Sequence, residues 1–270
     1  MTASFPAPAW LVGCGNMAGA MVDGWRAGGT DFSGVTVIRP SGTPIDGIPT
    51  MTGYPDERPR FVMLGVKPQK LDEVAPSLAP HVGPDTTLVS MLAGVTAAHL
   101  RERFPKAHAI VRIMPNLPVA QVQGVVAIYS PDGDIDQLAE VRQLIASLGM
   151  IAWCGSEEEL GVIGAVAAAG IAYVARFAAA LGTGGKSLGL RPALAERLAI
   201  QTLVGTGAYA ADTAQSMADI ARRVASPKGT TEQGLAVLDA DDGLQPLVDR
   251  ALAAAVRRGH ELAAEAAGRD

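Results

Sequence analysis

Short apolar runs alternate with amphipathic stretches from residue 9 to about residue 154, and beyond that point the short runs stop. The runs are "AWLVG", "VTVI", "FVMLGV", "TTLVSM", "AIVRIM" and "GVVAIYS", with "MIAWC" closing the series. Between several of them lie segments such as "PQKLDEVAPSLAPH" and "TAAHLRERFP", helical in period. Strands that alternate with helices of this length predict a mainly parallel sheet with right-handed crossovers. Residues 41–59 interrupt the pattern: they are rich in Pro and Gly, so a loop is expected there in place of a crossover helix.

From Ser156 onward the grammar is helical throughout. "EEELGVIGAVAAAGIAYVARFAAALG", "RPALAERLAIQTLVGTGAYAADT", "MADIARRV" and "LQPLVDRALAAAVRRGHELAAEA" all have helical period and helix-forming residues. Several are apolar on more than one side, as expected of helices buried against a second copy of the chain. An α/β domain over residues 1–155 and an all-α domain over 156–270 are therefore expected, in a homo-oligomer joined through the C-terminal helices. The uncharged stretch over residues 161–175 ends at Arg176, short of the roughly 20 apolar residues that span a bilayer, so no membrane partner is expected.

Charge and cysteine content narrow the field further. A net charge of −5 with no basic stripe argues against nucleic acid. Cys14 and Cys154 are far apart and lack metal-ligand spacing, which points to a reducing compartment and to no metal. The first residues, "MTASFPAPAW", lack the charge and apolar pattern of an export signal, so the cytoplasm is the expected location.

"AWLVGCGNMAGAM" puts Gly13 and Gly15 at the end of the first strand, with a helix opening at Asn16 or Met17. The first glycine permits a tight turn, and the second lets a pyrophosphate approach the backbone. The helix N-terminus then offers free N–H groups. Ala18 and Gly19 stand at the third, small position of this dinucleotide fingerprint. An NAD site carries an acidic residue after the second strand to bind the ribose 2′-hydroxyl. Here that strand ends in Arg39, with Ser41 and Thr43 beyond, a set that suits a 2′-phosphate and hence NADPH, with NADH as the alternative. "ALGTGGKSLGL" is not a phosphate loop: Ala180 stands where the motif needs its first glycine, and the preceding segment is helical, so C-cap glycines are expected there.

The helical half breaks at "RVASPKGTTEQG", residues 223–234. Taken alone, this stretch reads as a helix connector capped by Ser226 and Thr230. Taken with "VGCGNMAGAM", "LGVKPQ", "SMLAGVT" and "VRIMPNLP", it resembles the pyrroline-5-carboxylate reductase family, whose members make proline from its cyclic imine. The segments occur in the family's order and cover nearly the whole chain.

The resemblance implies a Rossmann-type N-terminal domain and a helical dimerisation domain. It further implies that Val66, Lys67 and Pro68, with Ala93 and Gly94, line the nicotinamide side, and that Asn116, in "MPN", ends its strand at the same edge. The substrate loop would comprise Ser226, Lys228, Gly229, Thr230 and Thr231. Backbone N–H groups there hold the small imine's carboxylate, and the Thr231 hydroxyl bonds its ring nitrogen as the catalytic contact. A cyclic imine is readily protonated, so reduction needs positioning more than acid–base catalysis. None of the four histidines falls in the loop.

Two departures from the family pattern bear on substrate preference. Lys228 stands where the family has the first of two glycines, and "AAGIAY", residues 168–173, replaces "GSGPAY", which should straighten a kinked helix. That second change leaves another cyclic imine or ketimine as the alternative substrate. The β-hydroxyacid dehydrogenases share the two-domain plan but place a catalytic lysine on the first interdomain helix, which has none here. A silent NADP-binding module is the non-enzymatic alternative.

Overall fold

The computed structural model describes residues 3–134 and 136–268. Its sheet comprises β1 (Ala9–Val12), β2 (Val35–Ile38), β3 (Thr50–Met51), β4 (Phe61–Leu64), β5 (Thr87–Ser90), β6 (Ala109–Pro115), β7 (Gly124–Tyr129) and β8 (Gly149–Trp153). The strand order is β3-β2-β1-β4-β5-β6-β7-β8, and only the β6–β7 pairing is antiparallel. Chain order runs outward from β1 in both directions, to β2 on one side and β4 on the other. This reversal opens the crevice at the carboxyl ends of β1 and β4, where open α/β sheets bind ligands.

Both faces of the sheet are covered, which is why β1 and β4 are apolar at every position and buried throughout. On one face α1 (Asn16–Ala27) and α4 (Ala139–Ala146) bury Met21, Trp25 and Leu144 against Leu11, Phe61 and Val111. On the other, α2 (Leu71–Leu78) and α3 (Ala97–Arg103) bury Leu78 and Leu100 against Trp10, Val62 and Leu88.

Residues 41–59 hold no helix, as their composition predicts, but they do contain β3, a two-residue strand parallel to β2. Two residues are too few to produce a visible period. Where a crossover helix would have covered the sheet, Tyr54 stacks on Trp10 at 5.6 Å, and His81 meets the Trp10 ring edge-on at 5.3 Å.

After β8 every element is helical. α5 (Glu157–Ile163) continues through a π-helical segment, Gly164–Ala169, into α6 (Gly170–Ser187). Then follow α7 (Pro192–Thr213), α8 (Met217–Val224), α9 (Thr230–Leu238) and α10 (Leu244–Ala267). By compactness the chain forms two units: residues 3–168 with 255–268, and residues 169–254. The last turns of α10 belong to the first unit because a Cβ on Gly94 would lie 2.9 Å from the Leu262 carbonyl oxygen.

Two sequence expectations need correction. Of the glycines in residues 180–190, Gly182, Gly184 and Gly185 are not C-caps but lie inside α6, where Gly182 and Gly185 let the α7 backbone and Ala195 come close. Gly189 (φ +100°) does end the helix as expected, its amide donating to the Lys186 carbonyl at 3.0 Å and the Leu190 amide to the Gly185 carbonyl at 3.1 Å. The length argument against a membrane span also fails, since the helical run Glu157–Ser187 is 31 residues and long and apolar enough to cross a bilayer. Leu160, Ala165 and Ala178 of this run are buried, but its larger side chains Phe177 and Leu181 on α6 are exposed within this chain, as are Leu194, Leu198 and Leu203 on α7. No residue of α8 or α9 is buried.

Candidate active site

In the first unit the crevice is built from four strand ends. Gly13 has φ +82°, and a Cβ there would lie 2.8 Å from Val66 Cγ1 and 2.9 Å from the Gly65 carbonyl. Glycine is therefore required for both its backbone angle and its contact with the β4 end. Gly65 answers it, since a Cβ at Gly65 would sit 2.8 Å from the Gly13 oxygen. Gly15, the N-cap of α1, faces open space, and so does Gly19 one turn on.

α1 opens at Asn16 with no side-chain cap and no acidic residue in its first turn. Among the described residues no acceptor meets the Asn16 and Met17 amides. Uncapped amides at a positive helix end, under an open glycine, fit a diphosphate.

Arg39 follows β2, and its positive charge only partly offsets the burial that disfavours ionisation of the Cys14 thiol in the glycine loop. Burial is the larger influence and holds the Cys14 thiol above its ordinary value. No carboxylate pairs with Arg39 among the described residues. A turn closed by Gly42 N–H donating to the Arg39 carbonyl (3.0 Å) brings Ser41 and Thr43 into contact, hydroxyl to hydroxyl at 3.0 Å. Both side chains are exposed, a donor set that fits a ribose phosphate.

Lys67 is exposed at the start of a 3-10 turn after β4, with Val66 and Pro68 half-buried on either side. Ala93 is exposed after β5, whereas Gly94 (φ +76°) is turned toward α10.

Asn116 is committed to the protein itself. Its Oδ1 accepts from the Val125 amide at 2.8 Å and its Nδ2 donates to the Ala167 carbonyl at 3.1 Å. Ala167 lies in the π segment, where the wider turn exposes carbonyl oxygens. Beside it, Gly164 leaves room for the Met114 side chain, whose Sδ would sit 1.9 Å from a Cβ there. The helix runs on through "AAGIAY" without an interruption, and its first two residues there, Ala168 and Ala169, belong to the π segment that is tied to the end of β6.

Sequence reasoning missed an ion pair next to this edge. Arg112 of β6 meets Glu157 at 2.7 Å, and the same Glu157 oxygen accepts the Ala97 amide at 2.8 Å. One carboxylate thereby ties β6, the N-terminus of α3 and the first turn of α5 together. "SEEE" signals an acidic helix start, but nothing in the sequence singles out which Glu is used.

In the second unit the break falls between α8 and α9. Gly229 is the N-cap of α9, and its amide donates to the Ser226 carbonyl at 2.9 Å. A Cβ at Gly229 would lie 2.3 Å from Ser226 Oγ, so the turn needs glycine there. Lys228 takes φ +58°, the left-handed region, and its amide donates to Glu232 Oε2 at 2.7 Å. Thr230 and Thr231 form the first two helical positions, and among the described residues no acceptor meets their amides. Ser226, Lys228, Thr230 and Thr231 are all exposed. Ser226 and Thr230 do not cap α9 through their side chains, so the connector reading loses its capping role. Glu232 was visible in sequence only as an acidic residue three positions after the cap.

Comparisons with known proteins agree with this layout. Residues 157–262 match the family model for pyrroline-5-carboxylate reductase dimerisation. The chain is 32% identical to a pyrroline-5-carboxylate reductase of Pseudomonas aeruginosa, over 94% of this chain and 96% of that one. It is 39% identical to one from Synechocystis, over 74% of each. Among solved structures, a pyrroline-5-carboxylate reductase from Coxiella burnetii superposes with a TM-score of 0.84 at 31% identity, over 95% of this chain and 98% of that one. A Plasmodium falciparum pyrroline carboxylate reductase solved with NADP shares the fold, with a TM-score of 0.81 at 22% identity over 94% and 97% of the two chains.

Proposed function

The chain belongs to the pyrroline-5-carboxylate reductase family, and from that premise we propose that it reduces 1-pyrroline-5-carboxylate to proline with NADPH. The reading draws its main support from the alignment of 94% of the chain with a reductase of that name. In this reading residues 1–155 bind the dinucleotide, and residues 156–270 dimerise and carry the substrate loop. The nicotinamide, when bound, supplies a hydride to the imine carbon while the C=N electrons pass to the protonated ring nitrogen.

The residues of this chain position and neutralise. Gly13 and Gly15 give the diphosphate access to the Asn16 and Met17 amides. Arg39 and Ser41 take the 2′-phosphate, which favours NADPH over NADH. Val66, Lys67, Pro68 and Ala93 border the nicotinamide, and Gly94 and Asn116 shape that border through α10 and the π segment. On the substrate loop, the Thr230 and Thr231 amides hold the imine's carboxylate against the α9 dipole, with Ser226, Lys228 and Gly229 setting their direction. The Thr231 hydroxyl hydrogen-bonds the ring nitrogen. The exposed apolar faces of α6 and α7 are covered by a second copy, which is why a helix of membrane-spanning length serves as an oligomer contact. The unpaired Cys14 and Cys154 suit a cytoplasmic enzyme.

The test is NADPH consumption with racemic pyrroline-5-carboxylate, run beside NADH and beside pyrroline-2-carboxylate. Turnover is expected on the first substrate with NADPH. Turnover on pyrroline-2-carboxylate alone would transfer the site to another cyclic imine, and tight NADPH binding without turnover on either would make the chain a binding protein.

A further inference from the structure

Lys228 adopts φ +58°, a backbone region that costs any residue bearing a Cβ. Its amide is fixed by one bond, to Glu232 Oε2 at 2.7 Å, reaching back from the first turn of α9. The neighbouring Gly229 amide is closed on the Ser226 carbonyl, and its missing Cβ leaves room for Ser226 Oγ. In this turn the Thr230 and Thr231 amides remain free. Lys228 is exposed and makes no ion pair among the described residues, so its side chain supplies no other restraint.

We infer that Glu232 is a positioning residue of the substrate loop: its carboxylate holds Lys228 in the left-handed conformation and thereby keeps the Thr230 and Thr231 amides aimed at the substrate's carboxylate. This rests on residues 226–231 being the substrate loop. Glu232 makes no contact with substrate in this account. It acts through the Lys228 backbone, so its contribution disappears when position 228 no longer resists positive φ. Glycine at 228 removes that resistance.

The experiment is a double-mutant cycle on steady-state kinetics with pyrroline-5-carboxylate and NADPH. Glu232→Ala is expected to raise KM for the imine about five- to tenfold with kcat within about twofold of the parent, because ground-state capture suffers more than chemistry. Glu232→Gln retains an acceptor oxygen and stays near the parent. In the Lys228→Gly background, Glu232→Ala is expected to be nearly silent. The inference is overturned if the loss is as large in the Lys228→Gly background. It is equally overturned if Glu232→Gln shifts KM as much as Glu232→Ala, which would make the effect one of charge. Failure of the underlying reading looks different: Thr231→Ala would then leave turnover on the imine unchanged, and every loop variant would leave its KM where it was.

Discussion

Two glycines of one helix give opposite predictions for the same substitution. Gly19 and Gly24 both lie inside α1, where alanine is worth about 1 kcal/mol over glycine in propensity. A Cβ on Gly19 meets nothing within 4 Å, so Gly19→Ala keeps most of that gain. A Cβ on Gly24 would lie 1.9 Å from the Val119 carbonyl oxygen and 2.9 Å from Leu148 Cδ2. The obstacle is backbone, in the 3-10 turn Leu117–Gln121, and the same oxygen accepts the Val122 amide at 3.1 Å. Relief requires the turn to move by roughly 1.5 Å in a close-packed layer, at the upper end of the ~1–3 kcal/mol that overpacking costs.

Net of propensity, Gly24→Ala is expected to lose about 2 kcal/mol and Gly19→Ala to gain about 0.5–1 kcal/mol. At about 2–4 °C per kcal/mol for a chain of this size, that is a Tm lower by about 4–8 °C for one and higher by a few degrees for the other. Thermal unfolding followed by circular dichroism, at one fixed protomer concentration and without cofactor, reads both. A Gly24→Ala protein melting at or above the parent temperature would refute the close approach of α1 to the β6–β7 connection.

Three other perturbations probe the remaining parts. Arg39→Asp should raise the NADPH KM about tenfold or more and move preference toward NADH, read as the ratio of kcat/KM for the two cofactors; unchanged selectivity would place the 2′-phosphate elsewhere. Thr231→Ala should lower turnover on the imine while the NADPH Kd, measured by fluorescence titration, stays nearly constant. Glu157→Ala leaves a mostly buried Arg112 without its carboxylate and the Ala97 amide without its acceptor, for a loss of about 3 kcal/mol in denaturant unfolding. On pH, burial disfavours the charged thiolate and raises the pKa of both Cys14 and Cys154. Alkylation of either should therefore be slow at neutral pH and accelerate only at a more alkaline pH than for an ordinary cysteine.

Much of this molecule can be read from its sequence because its elements obey local rules. Each of the seven apolar runs contains a strand, since strands such as β1 and β4, buried on both faces, need continuous apolar side chains and leave that mark in sequence. The opening of α1 at Asn16 was legible because glycines directly after an apolar strand permit the tight turn into a helix. β3 was not, because a two-residue strand is fixed by its neighbour β2 and not by its own pattern. The loop at 226–231 was legible as a break, but not as a constrained turn. Nothing in "SPKGTTE" states that Lys228 has positive φ or that Glu232 turns back to it. Those facts depend on the close approach of Gly229 to Ser226, a three-dimensional constraint. Likewise Asn116 stands in a motif that points to the cofactor, while its amide is spent on Val125 and Ala167.

The openness of α8 and α9 has a kinetic consequence. The loop between them is held at both ends by helices with no buried residue within their own chain, and in the proposed dimer the second copy would supply the burial that fixes it. Dilution should then act as an inhibitor. Specific activity would fall as protomers separate, through a weaker grip on the imine, while the glycine crevice of each isolated chain goes on binding dinucleotide. Protein concentration, ordinarily a trivial factor in an assay, would then be a variable that sets substrate affinity.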